Sequence, residues 1–305
     1  MRRDAHRAWR CLGVCLGPAL LLMVAPTVSR AADGFRTREA DLVVGHYAPP
    51  RAESEDSLIV VSYNIQYGEK IDAALADLRG NPILARADIL LLQEMDPEGC
   101  DRIARELRRD FVYYPASVHP HHGRLFGNAV LTRGRVAGQG FTLLPTRGPL
   151  AGTPRIAVFA DLEFGARRVR AVSVHGSTVM LPAEERRRQV RTVLDRHASG
   201  TSPLIIGGDF NTVSSWDAVR LVRDMRHAGL REARANGGTT PRHGWLRFLG
   251  VEGRLDHIFF RGMSAGRAGA DSCATASDHY PVWVVLDWSD GAPKQAPGPS
   301  AGDAR

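Results

Sequence analysis

Short apolar runs that end in a polar residue are the feature that most constrains how this sequence can fold. Their content of Val, Ile and Leu is typical of strands buried inside a protein. The runs, each with the polar residues that follow it, are Leu58–Ser62 with Asn64, Ile89–Leu92 with Glu94, Ala171–Val174 with His175, and Leu204–Ile206 with Asp209 and Asn211. Two later strands have polar residues at or before their start: Leu255–Phe260 with Asp256, and Val282–Leu286 with Asp278 and His279. Strands hold side chains rigidly, so we expect these groups to converge with fixed geometry.

The segments between these runs predict helices and further strands. Apolar residues at helical spacing predict helices over Ile71–Arg79, Cys100–Arg109 and Pro182–Ala198, with a fourth around Trp216–Met225. Additional strands are predicted over Ala129–Thr132, Gly140–Leu144 and Ile156–Leu162, and the strand that contains Ala171–Val174 is predicted to span Val169–Val174. The pattern fits sheets packed face to face with helices outside.

Two of the buried runs resemble each other. The segment LIVVSYN at 58–64 and the segment LIIGGDFN at 204–211 are both apolar strands that lead to an Asn. The match is short, and it is compatible with a chain built from two related halves.

The two ends of the chain differ in composition from the part between them. Met1–Arg10 is basic, Cys11–Val28 is apolar, and small residues precede a cleavage point after Ala31, as in a signal peptide. Pro18 and Pro26 disfavour the alternative of a membrane-spanning anchor. We therefore expect a secreted or periplasmic protein with a signal peptide at 1–31, a linker or N-terminal arm at 32–56, one domain at 57–288 and a disordered tail at 289–305.

The net charge of the chain limits the classes of partner. Of the formal charge of +7, the net charge of residues 1–31 supplies +4, so the remaining chain carries +3. A charge this small is compatible with an anionic substrate and argues weakly against strong non-specific DNA binding.

Cys100 and Cys273 remain after cleavage, and the sequence leaves open whether they form a disulfide or two thiols.

Carboxylates that meet at one rim need a cation between them. Like charges at short range repel, and the oxygen ligands available here suit Mg²⁺, Mn²⁺ or Ca²⁺. His119, His121 and His122 lie close together, but neighbouring loop histidines are more often solvated than bound to a metal. An acidic metal site with two histidines fits a reaction that needs charge neutralisation and proton transfer, for which phosphoester hydrolysis is the natural case.

The residues at the strand ends also occur in a fixed order along the chain. They are Asn64 in SYNIQ, Glu94 in LLQEMD, Asn128 in FGNAVL, His175 in VSVHGS, Asp209 and Asn211 in GGDFN, Asp256 in RLDHIFF, and Asp278 and His279 in SDHYPV. Together they resemble the endonuclease/exonuclease/phosphatase superfamily, over roughly Leu58 to Leu286. The resemblance implies an α/β (α+β) fold, a four-layer sandwich of two mostly antiparallel sheets packed face to face with helices on both outer sides.

The resemblance also implies roles for these residues. Glu94, with Asn64 and Asp278, would bind Mg²⁺ or Mn²⁺. Asp209 would orient or deprotonate the attacking water, with Asn211 holding water and phosphate. His279, oriented by Asp256, would contact the phosphate or transfer a proton, and either it or Asp209 would be the base. His175 would be a second histidine on the phosphate side, and Asn128 would lie in the second shell or contact the phosphate.

The substrate stays open at this stage, since a fold alone does not fix it. We expect a metal-dependent phosphodiesterase, either nuclease-like or phospholipase C/sphingomyelinase-like, which acts on nucleic acid, a phospholipid headgroup or a small phosphodiester. The alternative is a phosphomonoesterase of the inositol-phosphatase type. A non-catalytic binding protein on the same fold is disfavoured because the catalytic groups are all present. Thr239–Gly253 and His119–Phe126 are candidate substrate loops, and we expect a monomer without an obligate protein partner.

Overall fold

Residues 37–50, 56–119, 123–145, 154–177, 182–212, 214–234 and 254–288 are described by the computed structural model of the chain. The predicted signal peptide, the predicted C-terminal tail and the whole candidate loop at 239–253 lie outside these residues, as do His121 and His122. None of the helices among the described residues is long and apolar enough to cross a membrane.

The described residues form two β-sheets. In chain order the strands are β1 (Val43–Gly45), β2 (Ser57–Asn64), β3 (Ile89–Met95), β4 (Asp110–Val118), β5 (Leu125–Thr132), β6 (Arg135–Leu144), β7 (Arg155–Phe164), β8 (Arg167–His175), β9 (Leu204–Asp209), β10 (Arg231–Glu232), β11 (Asp256–Arg261), β12 (Met263–Ala270) and β13 (Val282–Trp288). The first sheet has the order β1-β4-β5-β3-β2-β13-β12, and the second has the order β10-β11-β9-β8-β7-β6.

Each sheet is antiparallel except for one central parallel pair. That pair is β2 with β3 in the first sheet and β8 with β9 in the second. The sheets pack face to face, with β2 against β9 and β3 against β8. Side chains such as Leu91 and Val130 from the first sheet, and Val158 and Ile205 from the second, form the core between them. Complete burial of one such side chain stabilises the fold by roughly 1.5–3 kcal/mol.

Helices cover the outer face of each sheet. Those of the described residues are α1 (Ile71–Gly80), α2 (Pro97–Leu107), α3 (Ala183–His197) and α4 (Ser215–His227). The first two bury Leu78 and Ile103 against the first sheet, and the other two bury Val193 and Met225 against the second. The four-layer sandwich implied by the resemblance is therefore confirmed.

Local sequence fixes where two of these helices begin. The Asp96 carboxylate accepts a hydrogen bond from the Gly99 amide at 2.7 Å, and Pro97 occupies the first helical position of α2. Ser214 caps α4 by accepting from the Asp217 amide at 3.1 Å. Each cap supplies an acceptor to a backbone amide that the helix itself leaves unpaired.

Residues 37–50 of the predicted linker or N-terminal arm at 32–56 pack onto the first sheet and do not form a linker. Strand β1 pairs with β4, and the Thr37 hydroxyl donates to the Pro115 carbonyl at 2.6 Å. The amide of Tyr47 donates to Asp110 at 2.9 Å. Backbone pairing with the edge of β4 holds this segment, and its few apolar side chains, Leu42, Val43 and Tyr47, pack against the core. Strands β4 and β12 were not predicted either.

The two cysteines that the sequence leaves for a disulfide are free. Cys100 is buried in the layer between α2 and the first sheet, whereas Cys273 is exposed. Burial, reinforced by the nearby acidic residue Asp96, raises the pKa of the Cys100 thiol well above its ordinary value. Cys100 therefore behaves as a core side chain.

Candidate active site

The polar residues predicted at strand ends meet along one edge of the sandwich, here called the catalytic edge. Parallel strands carry their carboxyl ends to the same side of a sheet, and an antiparallel neighbour begins there. In the second sheet, His175 at the end of β8 is in register with Asp209 at the end of β9, which is in register with Asp256 at the start of β11. In the first sheet, Asn64 at the end of β2 is in register with Gln93 on β3.

Glu94 reaches the catalytic edge from an irregular position on β3. Its φ of 59° lies in the left-handed region, and the pairing of β3 with β5 shifts register between Leu92 and Met95. A non-glycine residue rarely adopts this conformation, and such strain is typical of functional sites. The Glu94 carboxylate accepts from the Asn64 side chain at 3.1 Å and from the Tyr67 amide at 3.2 Å.

Asn64 joins the two sheets. Its Nδ2 donates to Glu94 at 3.1 Å and to Asp209 at 3.2 Å, so one amide bridges a carboxylate from each sheet.

Burial raises the pKa of Glu94, an effect that Arg155 opposes. Burial, opposed by His279 and reinforced by Asp256, raises the pKa of Asp209 to about 7.

Asp209 is held in place by Asn211. The Asn211 backbone amide donates to one carboxylate oxygen at 2.8 Å, and its side-chain amide donates to the other at 3.2 Å. The same side-chain amide donates to the Gly176 carbonyl at 3.2 Å. Gly208, the residue before Asp209, has a φ of +149°, and a Cβ atom there would lie 1.8 Å from the Val174 carbonyl oxygen. Only glycine therefore allows β9 to approach β8 at this point.

His279 and Asp256 form a pair across the two sheets. The Nδ1 of His279 lies 2.8 Å from an Asp256 oxygen, and its Nε2 lies 3.8 Å from Asp209. Burial lowers the pKa of His279, but Asp256 and Asp209 outweigh it and raise the pKa well above the ordinary value. The imidazole is therefore held as a cation, with one nitrogen directed at the catalytic edge.

The segment before His279 is anchored by Asp77 on α1. The Asp77 carboxylate accepts from the backbone amides of Thr275 and Ala276, each at 2.9 Å, and from the Tyr63 hydroxyl at 2.9 Å. Ser277 then accepts from the His279 amide at 3.0 Å and donates to Asp278 at 3.3 Å. A continuous set of hydrogen bonds thus connects α1 and β2 to the residues that enter the site.

Arg155 at the start of β7 belongs to the site and was not predicted from the sequence. Its guanidinium lies 3.0 Å from Nδ1 and 3.2 Å from Nε2 of His175, and 5.5 Å from the ring centre of Phe126. Arg155 is 8% exposed, and burial lowers its pKa while Glu94 and Asp209 raise it. The sequence contains a signal for it, because Arg155 directly precedes the apolar run Ile156–Leu162 and is the first residue of its strand, as Asp256 is of β11.

His175 is the neutral histidine of the site. Burial, with the positive charge of Arg155 as the next contribution, lowers its pKa well below the ordinary value. Its Nε2 lies 3.7 Å from Glu94 and 3.6 Å from Asp209. The two histidines of the catalytic edge therefore differ in charge, which suits different tasks.

Two other predicted residues lie at or below this edge. Asp278 is partly buried, and its charge contributes to the raised pKa of Glu94. Asn128 lies deeper, where its side-chain amide donates to the carbonyls of Ile156 at 2.9 Å and Ser173 at 3.1 Å. Asn128 thus links β5 of the first sheet to β7 and β8 of the second, beneath the residues already described.

The donor atoms fit a divalent cation. Buried carboxylates with raised pKa values, Glu94 and Asp209, share the Asn64 amide, and Asp278 adds a further negative charge. Carboxylate and amide oxygens are the ligands that Mg²⁺ and Mn²⁺ prefer. Asp209, Asp256 and His279 also place ligand atoms within 4.8 Å of one another, but the charge on His279 makes that histidine a poor ligand. The Glu94 side of the edge is the better position for a metal.

Comparison with known proteins places this geometry in context. Residues 61–279 match the model of the Endonuclease/Exonuclease/phosphatase family. Over 149 residues the chain is 27% identical to the UPF0294 protein VP2298 of Vibrio parahaemolyticus, covering 48% of this chain and 50% of that protein. The chain thus spans about half the length of the curated relatives that it matches.

Solved structures share the fold at low sequence identity. An endonuclease/exonuclease/phosphatase from Bacteroides vulgatus has a TM-score of 0.63 at 17% identity and covers 77% of this chain and 100% of its own. TDP2 of D. rerio, complexed with single-strand DNA product, has a TM-score of 0.59 at 15% identity, with coverage of 76% and 100%. A mannosyl-6-phosphatase of Bacteroides thetaiotaomicron has a TM-score of 0.56 at 21% identity, with the same coverage of 76% and 100%.

Proposed function

The chain belongs to the Endonuclease/Exonuclease/phosphatase family, and we propose that it is a divalent-metal-dependent phosphodiesterase. Members of this family are phosphoester hydrolases. One observation carries the finer assignment: Asp209 lies between the amides of Asn64 and Asn211 and 3.8 Å from the charged His279, on an edge that Arg155 also lines. A base, a cation and amide donors therefore surround a single position.

Asp209 is the proposed base. Its pKa of about 7 is close to neutral pH, where a general base combines a useful deprotonated fraction with enough basicity to accept a proton. The two hydrogen bonds from Asn211 fix the direction of its oxygens. Asp256 and Asp209 raise the pKa of His279 and so favour its protonated form, and its proposed task is to stabilise charge on the phosphoryl or leaving oxygen.

Arg155 and His175 are proposed to bind phosphate oxygens. Arg155 offers a planar set of donors and is held against His175, whose neutral ring leaves the positive charge on the guanidinium. Glu94, Asn64 and Asp278 would hold Mg²⁺ or Mn²⁺. When bound, such a cation polarises a phosphoryl oxygen and neutralises charge that develops on the leaving oxygen.

Charge balance favours a diester over a monoester. Glu94, Asp209, Asp256 and Asp278 bring four carboxylates to the edge, against which stand Arg155, a charged His279 and one divalent cation. These charges nearly cancel, so a phosphodiester with one negative charge needs less compensation than a monoester with two. The phosphomonoesterase alternative receives support only from the fold shared with the mannosyl-6-phosphatase.

A substrate panel tests this proposal. We expect hydrolysis of bis-p-nitrophenyl phosphate to exceed that of p-nitrophenyl phosphate, with EDTA abolishing activity and Mg²⁺ or Mn²⁺ restoring it. Plasmid DNA, sphingomyelin and inositol phosphates in the same panel distinguish the substrate classes. Activity that survives exhaustive chelation contradicts the metal role, and faster monoester cleavage contradicts diesterase action.

A matched pair of variants separates catalysis from folding. His279→Gln should lose turnover, while His257→Gln should retain it. His257 is also buried beside a carboxylate, with its Nδ1 3.0 Å from Glu232, but it lies on the opposite face of β11 from Asp256. A non-catalytic binding protein would keep its ligand affinity in both variants and show no turnover in either.

We further propose that the protein is exported through residues 1–31. The basic and apolar segments there, followed by small residues before Ala32, support this. N-terminal sequencing of the protein recovered from the periplasm or medium of a bacterial host should read from Ala32. A full-length N-terminus on protein retained in the cell contradicts export.

A further inference from the structure

The outward side of α4 combines apolar and basic residues without any acidic one. Trp216 is 74% exposed and Val219 is 63% exposed, which makes them prominent among the large exposed apolar side chains of the described residues. The other exposed positions on this side are all basic or histidine. We call the set the outer face of α4: Trp216, Val219, Arg220, Arg223, Arg226 and His227.

Helical spacing places these six residues together. They follow one another at intervals of three or one, and at 100° per residue they lie on one side of the helix. Leu221 and Met225 occupy the opposite side and are buried in the layer against the second sheet. The outer face is therefore a coherent surface rather than a set of scattered positions.

The acidic residues of α4 lie beside this face, on the side towards α3. Asp217 binds Arg186 at 2.6 Å and Asp224 binds Arg187 at 3.0 Å, and both arginines lie on α3. Each carboxylate thus pairs with an arginine of α3. Asp224 also lies 3.6 Å from Arg223 on the outer face, which keeps an excess of positive charge through Arg220 and Arg226. A solvated helix face ordinarily mixes both signs of charge.

The apolar end of the face lies at the beginning of α4, close in sequence to the catalytic edge. Asn211 belongs to that edge, and Trp216 follows it by five residues, a length of chain that spans at most roughly 18 Å. A surface that docked on Trp216 and Val219 would consequently lie near the catalytic edge.

We propose that the outer face of α4 docks on an anionic phospholipid surface. Trp prefers the boundary between headgroups and acyl chains, and Val219 beside it gains from insertion into the same layer. Arg220 and Arg226 complement the negative charge of anionic headgroups. Nucleic acid is the less favoured occupant, since an exposed aliphatic side chain gains nothing from stacking on bases or contacting phosphates.

Vesicle co-sedimentation tests the docking surface. The protein exported by a bacterial host, with its N-terminus sequenced, is mixed with vesicles of phosphatidylcholine alone or with phosphatidylglycerol added. We expect preference for the anionic vesicles, weakened by salt. The double variant Trp216→Ser/Val219→Ser should bind at least about tenfold more weakly, because it loses the apolar area that enters the interface.

Two further variants separate the contributions of the arginines and of the apolar residues to vesicle binding. Arg220→Ser/Arg226→Ser should remove the preference for anionic vesicles. Val44→Ser is the matched control, since Val44 is 44% exposed but lies on β1 at the far edge of the first sheet, and its binding should equal that of the parent protein. Thermal unfolding of each variant checks that it is folded.

Several results would overturn the inference. Unchanged vesicle binding by the folded Trp216→Ser/Val219→Ser variant is one. If the same variant loses binding to duplex DNA while it still binds vesicles, the inference is also overturned, and the face is assigned to nucleic acid. The inference does not depend on the proposed function: Trp216→Ser/Val219→Ser should hydrolyse soluble bis-p-nitrophenyl phosphate at the parent rate. A protein that binds vesicles and hydrolyses nothing would refute only the phosphodiesterase.

Discussion

The two sheets contribute to the catalytic edge from corresponding positions but by different means. In each, a central parallel pair with an antiparallel neighbour brings polar residues to the edge. Facing strands carry Asn64 opposite Asp209, and Glu94 opposite His175. Glu94 extends from an irregular strand with left-handed backbone, whereas His175 and Asp209 end two strands in regular register.

The two sheets thus supply different kinds of chemical group to the catalytic edge. The first sheet presents Glu94, Asn64 and Asp278, whose oxygen atoms suit a metal. The backbone of β3 is irregular at Glu94, which brings that carboxylate to the catalytic edge. The second sheet presents Asp209, Asn211 and Arg155, the groups suited to a proton and a phosphate. Among the contacts that connect the two contributions are those of Asn64 with Asp209 and of His279 with Asp256. Substitutions in one sheet at a time test whether the two contributions are separable.

The largest expected effects come from substitution of Asp209 in the second sheet and of Glu94 in the first. Asp209→Asn should lower kcat by about 10³–10⁴-fold at any metal concentration, because it removes the base. Glu94→Gln should also lose activity, but the Mg²⁺ or Mn²⁺ concentration for half-maximal activity should rise, and excess metal should restore part of the rate. Metal titrations of both variants check this. If excess metal rescues Asp209→Asn equally well, the division between the sheets is contradicted.

The next effect concerns the contact that orients His279. Asp256→Asn should lower kcat by about 10²-fold with little change in KM, because the carboxylate fixes the ring and stabilises its charge. Glu232→Gln is the matched control: Glu232 contacts His257 at 3.0 Å and flanks the same strand away from the edge. Steady-state kinetics should show wild-type kcat for the control. Equal losses in both variants would indicate that only the stability of β11 matters.

Arg155 in the second sheet should affect binding more than turnover. Arg155→Lys should raise KM by about tenfold, since an ammonium group cannot reproduce the bidentate geometry of a guanidinium. Arg170→Lys is the comparison variant, because Arg170 also lies in the second sheet and over a Phe ring but pairs with Asp161, on the neighbouring strand β7. An unchanged KM in Arg155→Lys would remove Arg155 from the phosphate site.

Much of the catalytic edge follows from the sequence because topology converts strand ends into neighbours. Asn64, Glu94, His175, Asp209 and Asp256 each adjoin an apolar run, and parallel pairing brings those ends together. The short similarity between LIVVSYN and LIIGGDFN also falls on β2 and β9, the two strands that face each other. A pattern of buried strands is thus enough to group these residues.

The remaining features depend on interactions that no local pattern contains. Strand β12, with the sequence MSAGRAGA, lacks an apolar signature and is held by its pairing with β13. The three residues of β1 are held in the same way by β4. The contrast between a charged His279 and a neutral His175 arises from burial and from charges distant in sequence. The choice between base and cation therefore needs the folded environment.

The smallest expected effect concerns how the first sheet holds the segment before His279. Asp77→Asn replaces one of two acceptor oxygens with a donor that faces backbone amides, so we expect a cost of about 1–3 kcal/mol in stability. The residues that follow, Ser277 to His279, would lose their anchor. We expect kcat to fall a few-fold at 25 °C with KM unchanged, because phosphate binding by Arg155 is untouched.

Asn81→Ala tests whether that loss of kcat is specific. Asn81 also ties the end of α1 to this segment, through a contact of 2.9 Å with Asp271, but it touches nothing adjacent to His279. Urea unfolding should show a loss of stability in both variants, whereas kcat should fall only in Asp77→Asn. If both lose kcat in proportion to stability, Asp77 is a structural residue. If only Asp77→Asn does, the first sheet positions a catalytic histidine through α1, even though the carboxylate that orients that histidine, Asp256, comes from the second.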